Sequence, residues 1–148
     1  MIILHKLYQF NVPDDEMVNI YILFIRSLLE QSCAVWHFDL NEEDVLDLER
    51  VQKVACKVIL KDRYTSYTDA LQILELQDLR SRRDDLSLRF AKKCLKNPKT
   101  KGMFPLNTNE TQDKLRSMEK YKVQFARKSR LRDSSIPSLQ RALNADEK

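Results

Sequence analysis

The chain has 148 residues, 43% of them hydrophobic and 32% charged, with a net charge of +4, which is enough apolar material for one ordinary core and enough charge to keep its surface in water. One glycine and four prolines leave it without the backbone freedom that hairpins, Rossmann turns and phosphate loops require, which argues against β-rich and doubly wound folds and rules out Walker or G-x-G-x-x-G sites. The charge is divided along the chain: Met1–Asp78 carries 7 Lys/Arg against 14 Asp/Glu, and Leu79–Lys148 carries 19 against 8.

Met1–Phe10 holds Leu4, Leu7, Tyr8 and Phe10, an apolar segment in want of a partner, but no long apolar run and small-residue cleavage site of a signal peptide. The first long helix is expected from Asp14 or Asp15, just after Pro13, where an aspartate can accept free amides and Glu16 suits the positive end of the dipole. Met17, Tyr21, Phe24 and Leu28 form one stripe; Val18, Ile22, Ile25, Leu29 and Trp36 nearly form a second. Such a helix is apolar around much of its circumference and belongs in the core, with Trp36 as a packing anchor at its end. Its apolar stretch Ile20–Ile25 is far short of the about 20 residues that span a bilayer, so no membrane association is expected.

Asn41 followed by Glu42, Glu43 and Asp44 reads as the cap and acidic first turn of a second helix, running to about Lys61 with Val45, Leu48, Val51, Ala55, Val58 and Ile59 on its apolar face. Ser66-Tyr67-Thr68-Asp69 has the shape of a capping box and opens a short helix holding Ala70, Leu71 and Leu74. Asp78 caps a fourth, with Leu79, Leu86, Phe90 and Cys94 inward, which stops near Asn97-Pro98. The alternation of Tyr121, Val123 and Phe125 fits a short strand or a basic helix. Ser135-Ile136-Pro137 starts a last short helix, 135–144, with proline tolerated in its first turn.

The expected architecture is therefore all-α: a small bundle of about four main helices over residues 1–97, a linker over 98–113, and a basic, partly irregular extension over 114–148. Its core is expected to include Tyr21, Phe24, Ile25, Leu28, Val51, Ala55, Leu71, Leu86 and Phe90.

Catalysis needs a nucleophile, an acid–base pair or a metal cage. His5 and His37 share no motif with a carboxylate or cysteine, and are read as structural or solvated. The doublets Asp14-Asp15 and Asp84-Asp85 lie at or inside helices and do not converge from separate elements as two-metal chemistry requires. No metal, cofactor or small-molecule substrate is expected. Cys33, Cys56 and Cys94 are odd in number and lack C-x-x-C spacing, so they read as buried thiols of an intracellular protein, cytoplasmic or nuclear. Without a secretory signal, the sequon Asn109-Glu110-Thr111 reads as accidental.

The basic residues are the remaining candidates. Arg80, Arg82 and Arg83 open the fourth helix, with Lys92 and Lys93 further along it. Positive charge at a helix start opposes the macrodipole, so an offset is expected, either from acidic residues of the second helix, the favoured source, or from phosphate. Lys128, Arg130 and Arg132 belong to a second cluster interleaved with Tyr121 and Phe125. Charge with aromatic faces suits a nucleic-acid strand, and a solvated tail equally. These eight residues are the candidate nucleic-acid contacts, for weak, sequence-independent binding to the backbone.

Several short strings occur in a telling order: Ile20-Tyr21, Ile25-Arg26-Ser27-Leu28-Leu29-Glu30-Gln31, Val35-Trp36, Leu48-Glu49-Arg50-Val51-Gln52-Lys53, Tyr67 with Ala70-Leu71, then Leu76, Leu79, Arg82-Arg83. The chain closes with Arg130-Leu131-Arg132, Ser135-Ile136-Pro137 and Leu143-Asn144. Over roughly residues 1–144 this resembles the region that follows the polymerase palm in reverse transcriptases of non-LTR (LINE-type, jockey-like) retrotransposons. The resemblance implies a noncatalytic, thumb-side C-terminal fragment of an RNA-directed DNA polymerase, which in the family helps hold the template–product duplex. The family's Tyr-x-Asp-Asp motif has no counterpart here, so the chain is not expected to be an enzyme by itself. Its implied partners are a polymerase palm and nucleic acid, and its reading frame is expected downstream of polymerase-coding sequence, as a truncated copy, exon product or domesticated relic. The alternative is a helical protein–protein adaptor.

Overall fold

Three side chains start three of the helices. Asn41 Oδ1 accepts the Asp44 amide at 2.8 Å, Ser66 Oγ the Asp69 amide at 3.1 Å and Asp78 Oδ1 the Ser81 amide at 2.9 Å. Each satisfies an N–H that a first helical turn leaves without an internal carbonyl. The computed structural model describes residues 2–107 and 119–147; the sequon and part of the expected linker lie outside them. Among the described residues the protein is all-α: α1 (Ile2–Gln9), α2 (Asp14–Ile20), a π-helical segment (Tyr21–Arg26), α3 (Ser27–Glu30), α4 (Cys33–Trp36), α5 (Glu42–Leu60), α6 (Tyr67–Ile73), α7 (Leu79–Lys96), α8 (Ser129–Arg132) and α9 (Ser135–Asp146), with short 3-10 turns. Their β-structure is limited to an antiparallel bridge between Leu106 and Tyr121.

Two compact units result, Met1–Cys33 with Leu40–Arg83, and Ala34–Asp39 with Asp84–Lys148. This differs from segments 1–97, 98–113 and 114–148, for a packing reason. Phe38 and the α7 residues Leu88, Ala91, Cys94 and Leu95 pack with Phe104, Tyr121, Leu139 and Leu143 in the second unit's core. The first unit's core is built from Leu4, Met17, Tyr21, Ala55, Cys56, Ile59, Leu60, Ala70, Leu74 and Leu76. From the chain's apolar lead, Leu4 and Leu7 pack within this unit, whereas Tyr8 and Phe10 stay exposed.

The start of α2 corrects an expectation. Pro13 occupies the cap position and no side chain bonds the first amides; Asp14 pairs with Arg63 instead. Its acidic first turn still suits the dipole.

A larger correction concerns Phe24 and Leu28, which are 62% and 70% exposed. The expected stripe assumed 3.6 residues per turn, but the helical path widens to π geometry at Tyr21–Arg26. A π turn takes an extra residue, which rotates everything beyond it. The enclosed ridge runs Met17, Tyr21, Arg26 and then Glu30, whose side chain is 12% exposed. Phe24 and Leu28 are turned outward. Phe90 is also exposed, at 45%, because the inward face of α7 passes through Ser87, Ala91 and Cys94. Ile25, Val51, Leu71 and Leu86 are half-buried.

With so little glycine, helix ends fall to other residues. After α6, Leu76 N–H donates to Leu71 O at 2.8 Å and Glu75 N–H to Gln72 O at 3.3 Å, with Glu75 left-handed at φ 51°. This is a Schellman ending, and Leu71 and Leu76 supply its apolar contact. After α1 the same pattern joins Val12 to Leu7 and Asn11 to Tyr8, with Asn11 at φ 51°. Asparagine tolerates that conformation; glutamate pays about 1–2 kcal/mol for it. Glu75→Gly relieves this strain but loosens the unfolded chain by about 0.4–1 kcal/mol. The net expectation is a gain of about 0.5–1 kcal/mol in urea unfolding; a loss would show that the Glu75 side chain holds something the strain conceals.

In the second unit the segment around Tyr121 is neither strand nor helix. It lies extended, bridged by backbone bonds to Pro105 and Asn107 on one side and held by side-chain amides of α9. Tyr121 N–H donates to Asn144 Oδ1 at 2.8 Å and Asn144 Nδ2 to Tyr121 O at 2.9 Å. Gln124 N–H donates to Gln140 Oε1 at 2.9 Å, and Gln140 Nε2 to Met103 O at 2.8 Å. Asn144 and Gln140 thus each use both the donor and the acceptor of a buried side-chain amide.

Candidate nucleic-acid interface

The charge division of the sequence becomes a division between units. The first carries 10 Lys/Arg against 13 Asp/Glu, the second 16 against 9. A field of positive potential therefore belongs to the second unit.

Most of the candidate contacts on α7 have protein partners. Arg82 Nε donates to Glu30 Oε1, and Arg26 Nε lies 3.5 Å from the same oxygen, so one carboxylate serves two guanidiniums. Burial lowers the pKa of Arg26, and the neighbouring Arg82 charge lowers it further. Arg80 pairs with Glu42 at 3.5 Å, and in the second unit Lys92 pairs with Asp146 at 2.7 Å. Arg83 is fully buried, which takes it off the candidate surface: its guanidinium is out of reach of a phosphate in solvent. The macrodipole conflict of Arg82 is thus offset by an acidic side chain, from α3 rather than from the second expected helix.

The second cluster is more open. Lys128, Arg130 and Arg132 are exposed. Arg132 forms a forked pair with Asp133, at 3.1 and 3.2 Å. Among the described residues, Lys93, Lys128 and Arg130 have no acidic side chain within salt-bridge distance. Lys128 and Arg130 line an open groove of about 640 Å³ with Asp39, Leu131 and Ser134. Among the described residues lining it, two cations face one carboxylate, Asp39.

A second polar network went unread in the sequence. Tyr21 OH donates to Gln52 Oε1 at 2.6 Å, and Gln52 Nε2 donates to Tyr67 OH at 3.0 Å and to Gln77 O at 2.9 Å. Tyr67 OH in turn donates to Glu49, whose Oε2 also accepts the Leu79 amide at 3.2 Å. Glu49 therefore caps α7 from α5. Burial is the main cause holding the pKa of both tyrosines well above the usual range, and the hydrogen bond to Glu49 adds to it at Tyr67. They stay neutral donors. Such a chain fixes helix register; it offers no nucleophile.

His37 Nε2 lies 2.7 Å from Asp84 Oδ1, a pairing across 47 positions that no local motif announces. Cys33, Cys56 and Cys94 are buried free thiols; burial pushes the Cys56 thiol up to about 11, so little thiolate forms at neutral pH. No group of three or more His, Cys, Asp or Glu among the described residues is placed to hold a metal. No protein-family model matches the chain, and no curated protein or solved structure matches it significantly.

Proposed function

We propose that this chain is a noncatalytic, nucleic-acid-backbone-binding module of the kind found thumb-side in non-LTR retrotransposon reverse transcriptases. On this reading it works inside the cell, in the cytoplasm or nucleus, beside a polymerase palm. The observation that carries the proposal is the charge surplus of the second unit, together with Lys93, Lys128 and Arg130 standing exposed without acidic partners among the described residues. Further support comes from the residues behind the resemblance. Arg26, Glu30 and Arg82 share one polar contact, and Tyr21, Glu49, Gln52, Tyr67 and Leu79 share another. They are the polar framework of one unit, the positions that a fold would hold fixed. The Asp-Asp doublets are tied into the fold as well, Asp14 by Arg63 and Asp84 by His37.

Binding of a labelled RNA–DNA hybrid, followed by anisotropy through a salt series, tests the proposal. Backbone binding predicts that log affinity falls linearly with log salt. No binding at about 50 mM salt would sink the proposal. Primer extension with magnesium and nucleotides is expected to give no product, and extension surviving removal of contaminating polymerase would overturn the noncatalytic part.

One observation favours a second reading, a helical adaptor: Leu23, Phe24 and Leu28 make an apolar stripe open to solvent. The segment Asp14–Asp39 is also apolar and long enough to cross a bilayer. However, its path turns at left-handed Ser32, φ 55°, and it carries the Arg26–Glu30 pair. A turn exposed to lipid leaves backbone groups unsatisfied, so the stripe fits a protein surface better than a membrane.

A further inference from the structure

We infer that the basic surface of the second unit selects single-stranded nucleic acid, with Phe125 as the platform on which a base stacks; this rests on the nucleic-acid reading above. Tyr121 is buried and Val123 half-buried, so alternate residues of this extended segment point inward. Continued alternation would put Phe125 inside too. Instead Phe125 is 85% exposed.

The ring does not sit on a loose tail. Its neighbour Gln124 is held through its amide by Gln140, and Tyr121 by both ends of the Asn144 amide. The fold thus presents a phenyl group from a backbone that is fixed immediately before it.

The charges around it in sequence are all of one sign. Lys122, Arg127, Lys128 and Arg130 are exposed, and among the described residues none has an acidic side chain within salt-bridge distance. Cations alone serve a duplex and a single strand alike, since both display phosphates. An exposed aromatic face adds something only a single strand can use, because the base faces of a duplex are already stacked on one another. Stacking is indifferent to base identity, which agrees with backbone binding lacking sequence readout.

The test uses the full chain, a labelled mixed-sequence single-stranded RNA, and the same sequence as a duplex, with binding read by anisotropy. The parent is expected to prefer the single strand. Phe125→Ala should weaken single-strand binding roughly 5- to 150-fold and leave duplex binding and the circular dichroism melt unchanged. Phe125→Trp should keep the affinity, and its added indole emission should be quenched on binding, beyond any change from Trp36 in the parent. Unchanged single-strand affinity in Phe125→Ala, or equal affinity of the parent for duplex, overturns the inference while leaving backbone binding intact. If neither nucleic acid binds any form, the functional reading itself falls, and this inference falls with it.

Discussion

Replacing Glu30 with glutamine is expected to destabilise the first unit by about 3 kcal/mol. The carboxylate lies between two guanidiniums, and the side chains of Arg26 and Glu30 are only 11% and 12% exposed. Glutamine keeps the volume and can still accept a hydrogen bond, but it removes the charge that lets Arg26 and Arg82 stand together. Breaking a buried ion pair from one side costs about 3–5 kcal/mol, chiefly because a charge is left behind without compensation. Arg82, 28% exposed, retains some access to water, which places the effect at the lower end. Urea unfolding of parent and variant at neutral pH measures it as a shift in midpoint at constant slope. A loss under about 1 kcal/mol would mean that solvent screens the cluster as it does a surface pair.

Ile59→Ala should cost about 2–5 kcal/mol, because the side chain is fully enclosed in the first core and its removal leaves a cavity. Leu28→Ala, at a position that helical spacing alone puts in the core, is expected to stay within about 0.5 kcal/mol of the parent. The pair is informative together. If Leu28→Ala cost as much as Ile59→Ala, the path through Tyr21–Arg26 would be an ordinary α-helix with Leu28 inward, and the π turn would be wrong.

That contrast also shows where the sequence was legible. Capped starts at Asn41, Ser66 and Asp78 are local: each needs a short acceptor and an amide three residues on, and both are visible in the string. The all-α class followed from glycine scarcity, which is a property of composition. The π turn was not legible from periodicity at 3.6, although Arg26 gave a signal. A charged residue interrupting an apolar stretch, five positions after Tyr21, marks where the inward ridge had moved. The pairing of Glu30 with Arg82 and of His37 with Asp84 joins distant segments, so no local window contains it. The extended path at Tyr121 was ambiguous for the same reason, because its hydrogen-bond partners are side chains of α9 and the distant backbone of Pro105 and Asn107. The basic cluster was found, but spacing did not separate Lys128 and Arg130 from Arg83, which the fold encloses.

On the proposed function, cations without acidic partners in the fold, rather than all cations, carry nucleic-acid binding. Salt-titrated binding of one labelled single strand separates the two sets of cations in three proteins: the parent, Lys128→Ala/Arg130→Ala, and Arg80→Ala/Lys92→Ala, whose cations pair with Glu42 and Asp146. The first double variant should lose up to about 1.4 from the slope of log affinity against log salt, about 0.7 per phosphate contact on a single strand, and the second less than half as much. Equal slopes in all three proteins, or a larger loss in Arg80→Ala/Lys92→Ala, would contradict the claim.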